Sequence, residues 1–182
     1  MGQISLPKPA NLIIGILTSI PELLFQIDKT LEEYFGPIDL RSDILPFTFT
    51  EYYNEEMGKG IQRQFYSFEK LIMPDEIAPI KVRTNTLEEV IASSKKYPVK
   101  RPINIDPGYM NESRLILAST KDFSHRIYLR EGIYAEVTLN YRHGRYETFP
   151  WTFPDYKSAD YQNFFLKARE AYVRKLKKMC QK

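Results

Sequence analysis

The chain has 182 residues, 43% hydrophobic and 14% aromatic, with a net charge of +3. That is enough apolar material for one packed domain, and it excludes a disordered chain. Charge is uneven: residues 1–90 carry 8 basic and 14 acidic side chains, a net of −6, whereas residues 91–182 carry 18 and 9, a net of +9. A basic second half fits an anionic ligand or partner, or else two halves that attract each other within one fold.

The apolar run Leu12–Leu17 reads as a buried central strand and is too short to cross a bilayer. Its flanks lack the features of a signal peptide, and Gly2 is followed by Leu6 where a myristoylation site needs Ser or Thr, so no membrane association is expected. Ser19 and Glu22 predict a capping box, with Pro21 in the first turn of a helix that buries Leu23, Leu24, Ile27, Leu31, Tyr34 and Phe35 and stops at Gly36-Pro37. Residues 38–50 alternate as a bulged, edge-like strand around Pro46. A polar loop over 51–60 leads to a strand over 62–72. A second helix over 79–93 turns Ile80, Leu87, Val90 and Ile91 inward, and a short strand over 102–106 follows a basic loop. Strand, helix, strand, strand, helix, strand is the order of a ferredoxin-like β-α-β-β-α-β core. The fold class is therefore α+β, with that core over residues 1–108.

An antiparallel β-meander over 109–149 is appended to the core. Within it, 114–119 reads as either strand or short helix, and Glu131-Gly132 and His143-Gly144 mark two hairpins. A Pro-aromatic connector opens the last segment, 150–182. Ser158 then caps a C-terminal helix with Tyr161, Phe164, Phe165, Ala168, Tyr172, Leu176 and Met179 on one face and Lys167, Arg169, Arg174, Lys175, Lys177 and Lys178 on the other. All three segments are expected to form one domain. The single cysteine, Cys180, excludes an intramolecular disulfide and a thiolate metal cluster, and fits a reducing cytoplasm. The oligomeric state is not legible.

Candidate site residues concentrate between Pro102 and Tyr141. A three-residue loop at Arg130-Glu131-Gly132 pairs Ile127 with Ala135 and gathers Ile127, Leu129, Ile133, Ala135, Val137 and Leu139 on one apolar face. That register sets Arg126 across from Glu136, beside Tyr128 and Tyr134, and turns His125 toward the apolar side. His125 then reads first as a hydrogen-bonded core residue and second as an acid/base group. Arg126 and Glu136 are either a structural cross-strand pair or a grip on a phosphate or carboxylate. Asp106-Pro107-Gly108-Tyr109 reads first as a turn, with Asp106 at a strand end where catalytic carboxylates also occur. If a reaction takes place, Asp106, Glu136 and His125 are the catalytic candidates. Arg126, Lys121, Tyr128, Tyr134, Arg142 and Tyr109 are the ligand-binding candidates. His125 and His143 lie far apart, and no zinc motif, phosphate-binding glycine loop or nucleophile elbow is present. An oxygen-liganded Mg²⁺ at Asp106 and Glu136 stays open, and no cofactor is identified. The expected function is binding of a small anionic or phosphorylated ligand, a nucleotide among the options, with hydrolase or transferase chemistry left open. The alternative is a non-enzymatic module using the basic C-terminal helix on RNA or protein, with nucleic acid the less favoured partner.

The segments FGPID (35–39), EMGKGIQRQFYSFEKLI (56–72), RTNTLEE (83–89), NIDPGY (104–109), ASTKDFSHRIYL (118–129), GIYAEVTLNYRHG (132–144) and PWTFPDY (150–156) resemble a prokaryotic family of uncharacterised proteins, domain-of-unknown-function family 4416. The resemblance covers nearly the whole chain and implies a cytoplasmic, single-domain protein. Members are sometimes labelled GTP-binding, although this sequence has none of the usual guanine-nucleotide motifs.

Overall fold

The computed structural model describes residues 2–181 except the side chain of Cys180, so the expectation about that thiol lies outside the described residues. β1 (Ala10–Thr18) is buried along its whole length, as an unbroken apolar run requires at the centre of a sheet. α1 (Pro21–Phe35) starts on Pro21 and ends at Gly36, whose φ of 89° lets its N–H reach the Glu32 carbonyl. The expected capping box is not made. Ile20 is the N-cap, Thr18 Oγ1 accepts from its N–H at 3.0 Å, and Ser19 Oγ donates to the Met57 carbonyl instead. Tyr34, expected inside, is exposed.

Residues 38–50 form two short pieces, β2 (Ile38–Arg41) and β3 (Leu45–Pro46); the break falls at 42–44, where the Ser42 hydroxyl accepts from Phe65 N at 2.9 Å, and Pro46 is itself paired with Gln62. Both pair with β4 (Gln62–Ile72). Between them and β4 lies a single helical turn, α2 (Asn54–Met57). α3 (Ile77–Ser93) buries Ile77, Ala78, Ile80, Lys81 and Thr84, and leaves Val90, expected inside, exposed. Then follow β5 (Asn104–Met110), β6 (Arg114–Ser119), β7 (Ile127–Arg130), β8 (Ile133–Arg142), β9 (Arg145–Thr148) and α4 (Ala159–Cys180).

The strands make one sheet in the order β2-β4-β1-β5-β6-β8-β7, with every pair antiparallel, β3 beside β4 and β9 beside β8. The meander thus continues the sheet of the first half. Strand alternation splits the core into layers. Leu12, Ile14 and Ile16 pack with α1 and α3, whereas Ile13, Phe65, Met110 and Leu115 pack with Tyr161, Phe164, Phe165 and Ala168 of α4. Ser158 caps α4 as expected, accepting from Tyr161 N at 3.4 Å. α4 is pinned across the sheet by Tyr172, whose hydroxyl donates to the Pro9 carbonyl at 2.8 Å, and by Lys175. Lys175 Nζ donates to Asn11 Oδ1 at 2.6 Å and Phe68 O at 2.5 Å and pairs with Asp39. Lys175 is therefore not part of an outward basic face.

Asp106-Pro107-Gly108 is not a turn but the middle of β5, paired with Gly15, Ile14 and Ile13 of β1. Gly108 is not left-handed. It is small because β6 lies against it, and an added Cβ would collide with the Ile116 carbonyl. The β5–β6 ladder runs from Met110 to Gly108 and stops. Outward-facing peptide groups on a strand recur every second residue, so the next hydrogen-bonded position after Tyr109 is Pro107, which has no N–H. From Pro107 toward Asn104 the sheet is split.

The β7–β8 hairpin reaches the expected pairing by another route. Glu131 and Gly132, both left-handed, make a two-residue turn, Arg130 opposes Ile133, and a bulge at Leu129 then brings Ile127 opposite Ala135. The expected single apolar face is not formed: Ile133 packs in the α1 and α3 layer, Leu139 lies in the α4 layer beyond a bulge in the β6–β8 pairing, and Ile127 is 73% exposed. Glu136 instead points into the α4 side, opposite Leu117.

Candidate functional site

Two polar clusters lie on the α4 face of the sheet, at the end where β5 and β6 part. The first is built on Asp106. Its Oδ2 accepts from Asn104 Nδ2 at 2.5 Å and from Arg63 Nη1 at 3.5 Å, and Lys81 Nζ lies 3.6 Å from Oδ1. Arg63 reaches it from β4 across Gly15 of β1, where an added Cβ would sit 2.9 Å from Nη1. The other arm of the guanidinium, Nη2, donates to Asp155 of the connector at 3.2 Å. Phe47, Phe65 and Tyr156 surround the Arg63 head group at 5.5, 5.3 and 6.0 Å. Arg101 donates to Glu88 at 2.8 Å and to Asn104 Oδ1. Arg63 and Asp155 are each only 5% exposed, but Asp106 keeps 29% of its side chain open to solvent. Two buried polar atoms beside this centre, Arg63 Nε and Tyr161 OH, make no hydrogen bond within 3.5 Å to the described residues.

One guanidinium thus holds two carboxyls whose proton affinities move in opposite directions. Burial pushes Asp106 up, but Lys81, Arg63, the Asn104 hydrogen bond and Arg101 together outweigh it and hold the carboxyl below its ordinary value. Burial also pushes Asp155 up, and there Arg63 does not fully compensate. Glu88 is raised, again by burial ahead of Lys81 and Arg101. Tyr53, at the start of α2, is raised by burial and then by the Asp106 charge.

The signs give a stability prediction. A depressed carboxyl stabilises the fold above its unfolded value, about 3.9 for Asp, and loses that contribution as pH falls through its folded value. A raised carboxyl does the reverse, favouring the fold at acid pH and losing that contribution as pH rises through its folded value. Asp106→Asn is therefore expected to cost more stability as pH rises toward neutral, and Asp155→Asn less. Urea unfolding of both variants across the acid range checks this, and parallel pH trends would contradict the assignment.

The second cluster joins Glu136, Arg126 and His125. Glu136 Oε2 accepts from Arg126 Nε at 2.7 Å and lies 3.1 Å from His125 Nε2, and Oε1 accepts from Thr138 at 3.2 Å. Arg126 Nη1 donates to Ser119 Oγ and to the Lys121 carbonyl. His125 is stacked between Phe123 and Trp151, and Trp151 stacks on Phe149. Trp151 Nε1 donates to the Val137 carbonyl at 3.0 Å, and Thr152 Oγ1 to the Thr138 carbonyl at 2.6 Å. The connector therefore ties the two clusters together, Trp151 and Thr152 on one and Asp155 on the other.

Among the sequence candidates, Asp106 stands in the first cluster and Glu136, Arg126 and His125 in the second. Lys121 lies beside them, its ammonium 5.2 Å from the Tyr52 ring centre. Tyr109 is turned to the opposite face, against the α1 and α3 core. Tyr128 and Tyr134 contact each other at the β7 edge. Arg142 ends β8, opposite Arg145. Arg63, Lys81, Glu88, Arg101, Asn104, Asp155 and Tyr53 were not among the candidates. Three of them carried a signal in the sequence: Arg63 in an aromatic strand, Lys81 on the apolar face of a helix, and Asp155 in an aromatic connector. Two open grooves, one lined by Tyr34, Val82, Arg83 and Val90 and the other by Pro9, Val173 and Leu176, contain none of these cluster residues. Among the described residues no group of three or more metal-ligating side chains comes together, and no helix is long and apolar enough to cross a membrane.

This is an α+β protein with an antiparallel sheet, a C-terminal helix across one face and a charged cluster where two central strands part. Residues 8–172 match the profile of a family described as a domain of unknown function (DUF4416), and the chain belongs to that family. No curated protein and no solved structure matches it.

Proposed function

We propose that the split between β5 and β6 is a binding site for a small anionic ligand, with Asp106 as the carboxylate that accepts its proton or hydrogen bond. The observation that carries this is the convergence of cations on one half-open carboxylate. Lys81 and Arg63 reach Asp106 directly, Arg101 reaches it through Asn104, and together they hold its carboxyl below its ordinary value while 29% of the side chain stays open to solvent. An anion entering the split would meet these cations beside an ionised acceptor. Arg101 is 32% exposed and Lys121 lies at the surface, so both can reach a ligand. Arg126 and Glu136 serve this site indirectly, by holding the Lys121 carbonyl and its loop in place. A pair of carboxyls with separated proton affinities suits acid/base chemistry of the hydrolase or transferase kind. Phosphorylated ligands, nucleotides among them, come first.

The expected result is that at least one phosphorylated compound raises the melting temperature in a thermal-shift screen of nucleotides, sugar phosphates and dicarboxylates. Arg101→Gln and Asp106→Asn should remove that shift while still unfolding cooperatively. A screen in which no anion shifts the wild-type protein ends this reading. The strand order β2-β4-β1-β5, with α1 and α3 on one face, supports a ferredoxin-like first half within a single domain. A lone cysteine in the sequence supports a cytoplasmic setting.

A further inference from the structure

Where β6 leaves β5, Ile105 is left with a peptide N–H and C=O that no strand meets. Both are satisfied from α3: Lys81 Nζ donates to the carbonyl at 2.9 Å, and Glu88 Oε1 accepts from the N–H at 2.7 Å. Seven residues apart, the two side chains stand on one face of the helix. Each makes a second contact at the site. Lys81 Nζ lies 3.6 Å from Asp106, and Glu88 Oε2 takes a 2.8 Å hydrogen bond from Arg101. A lysine is rarely buried unless paired, and Lys81 is 7% exposed at its side chain. Packing α3 on the sheet does not require a charge there, because Ile77, Ala78 and Ile80 already supply apolar contact.

We propose that Lys81 and Glu88 are the positioning residues of the Asp106 site: they stand in for the strand missing at Ile105, keep the β5–β6 split open, and fix the orientation and charge of the Asp106 carboxylate. This rests on the reading of Asp106 as the working carboxylate. Lys81 and Glu88 act on it from α3, Arg63 from β4, Arg101 and Asn104 from the start of β5, Tyr53 from α2, and Asp155 and Tyr156 from the connector. Arg63 and Arg101 remain when Lys81 is removed, so the carboxylate loses part of its support rather than all of it.

The test needs no ligand. Carboxyl carbon NMR follows the titration of Asp106 in the full chain. Lys81→Met should move its midpoint up, and Lys81→Arg should bring it back toward the wild-type value. If Lys81→Met does not fold, Lys81→Gln keeps a donor for the Ile105 carbonyl without the charge, and the same upward movement is expected. Hydrogen exchange at the Ile105 amide reads the other half. Glu88→Ala should speed it about tenfold, as loss of one hydrogen bond implies, whereas Glu88→Gln, which keeps the acceptor, should not. An Asp106 midpoint indifferent to Lys81, or an Ile105 amide indifferent to Glu88→Ala, overturns the proposal. If these shifts are seen and no anion binds, the functional reading fails and the positioning role stands.

Discussion

Arg63→Met is expected to destabilise the protein by about 3–5 kcal/mol at neutral pH, the cost of removing one partner from a buried ionic network. Met fills much of the space of the Arg stem, so the loss measures charge rather than volume. Asp106 retains Lys81 and Asn104, but Asp155 loses its one cationic contact while 5% exposed. The deficit should therefore shrink as pH falls and Asp155 takes up a proton. Adding Asp155→Asn to Arg63→Met should recover part of the loss at neutral pH, a coupling expected of groups in direct contact. Urea unfolding of the two single variants and the double variant checks both effects. A deficit under about 1 kcal/mol, the scale of an exposed ion pair, or one flat in pH, would show that the cluster does not hold the connector to the sheet.

Gly108→Ala is the second substitution with a large expected cost, about 3 kcal/mol or more. An added Cβ meets the Ile116 carbonyl and lies 2.7 Å from Leu117 Cδ2. Backbone cannot step aside as a side chain can, so relief requires β5 and β6 to separate where they are still paired. Gly132→Ala is the natural control. Nothing lies within 4 Å of its added Cβ, but its φ of 74° is left-handed, which costs about 1–2 kcal/mol. If Gly108→Ala unfolds no more easily than Gly132→Ala, the close approach of the two strands does not hold.

The same glycine shows why the sequence misleads here. Asp106-Pro107-Gly108 has the composition of a turn, and turn chemistry is the local rule. The tertiary rule overrides it: Pro107 is tolerated because its missing N–H faces the split, and Gly108 is required because β6 presses on it. Elements with strong periodicity, such as β1, α1 and the buried face of α4, were legible because one chain segment carries the whole signal. The Arg126–Glu136 pair was named from alternation along two neighbouring strands, but it is a two-residue turn with a bulge at Leu129 that brings the two side chains together. Arg63, Asp106 and Asp155 are separated by 43 and 92 positions. Their meeting depends on strand order and on Gly15 letting a side chain cross the central strand, and neither is a local property. The Ser19 box failed for a related reason, because the Met57 carbonyl at the end of α2, distant in sequence, competes for the hydroxyl.

The way α4 is pinned also has a consequence for how the chain acquires its structure during synthesis. Tyr172 and Lys175 bond to Pro9 and Asn11, contacts that span 163 and 164 residues. The sheet strands emerge from the ribosome well before the helix that covers them. Until α4 is added, Ile13, Phe65, Met110 and Leu115 lack the cover given by Tyr161, Phe164, Phe165 and Ala168. A nascent chain stalled before Ala159 should therefore leave the apolar part of this sheet face incompletely covered, and consolidation of that layer should wait for contacts of high sequence separation, which form slowly. α4, more than any element before it, sets how long that apolar layer stays exposed.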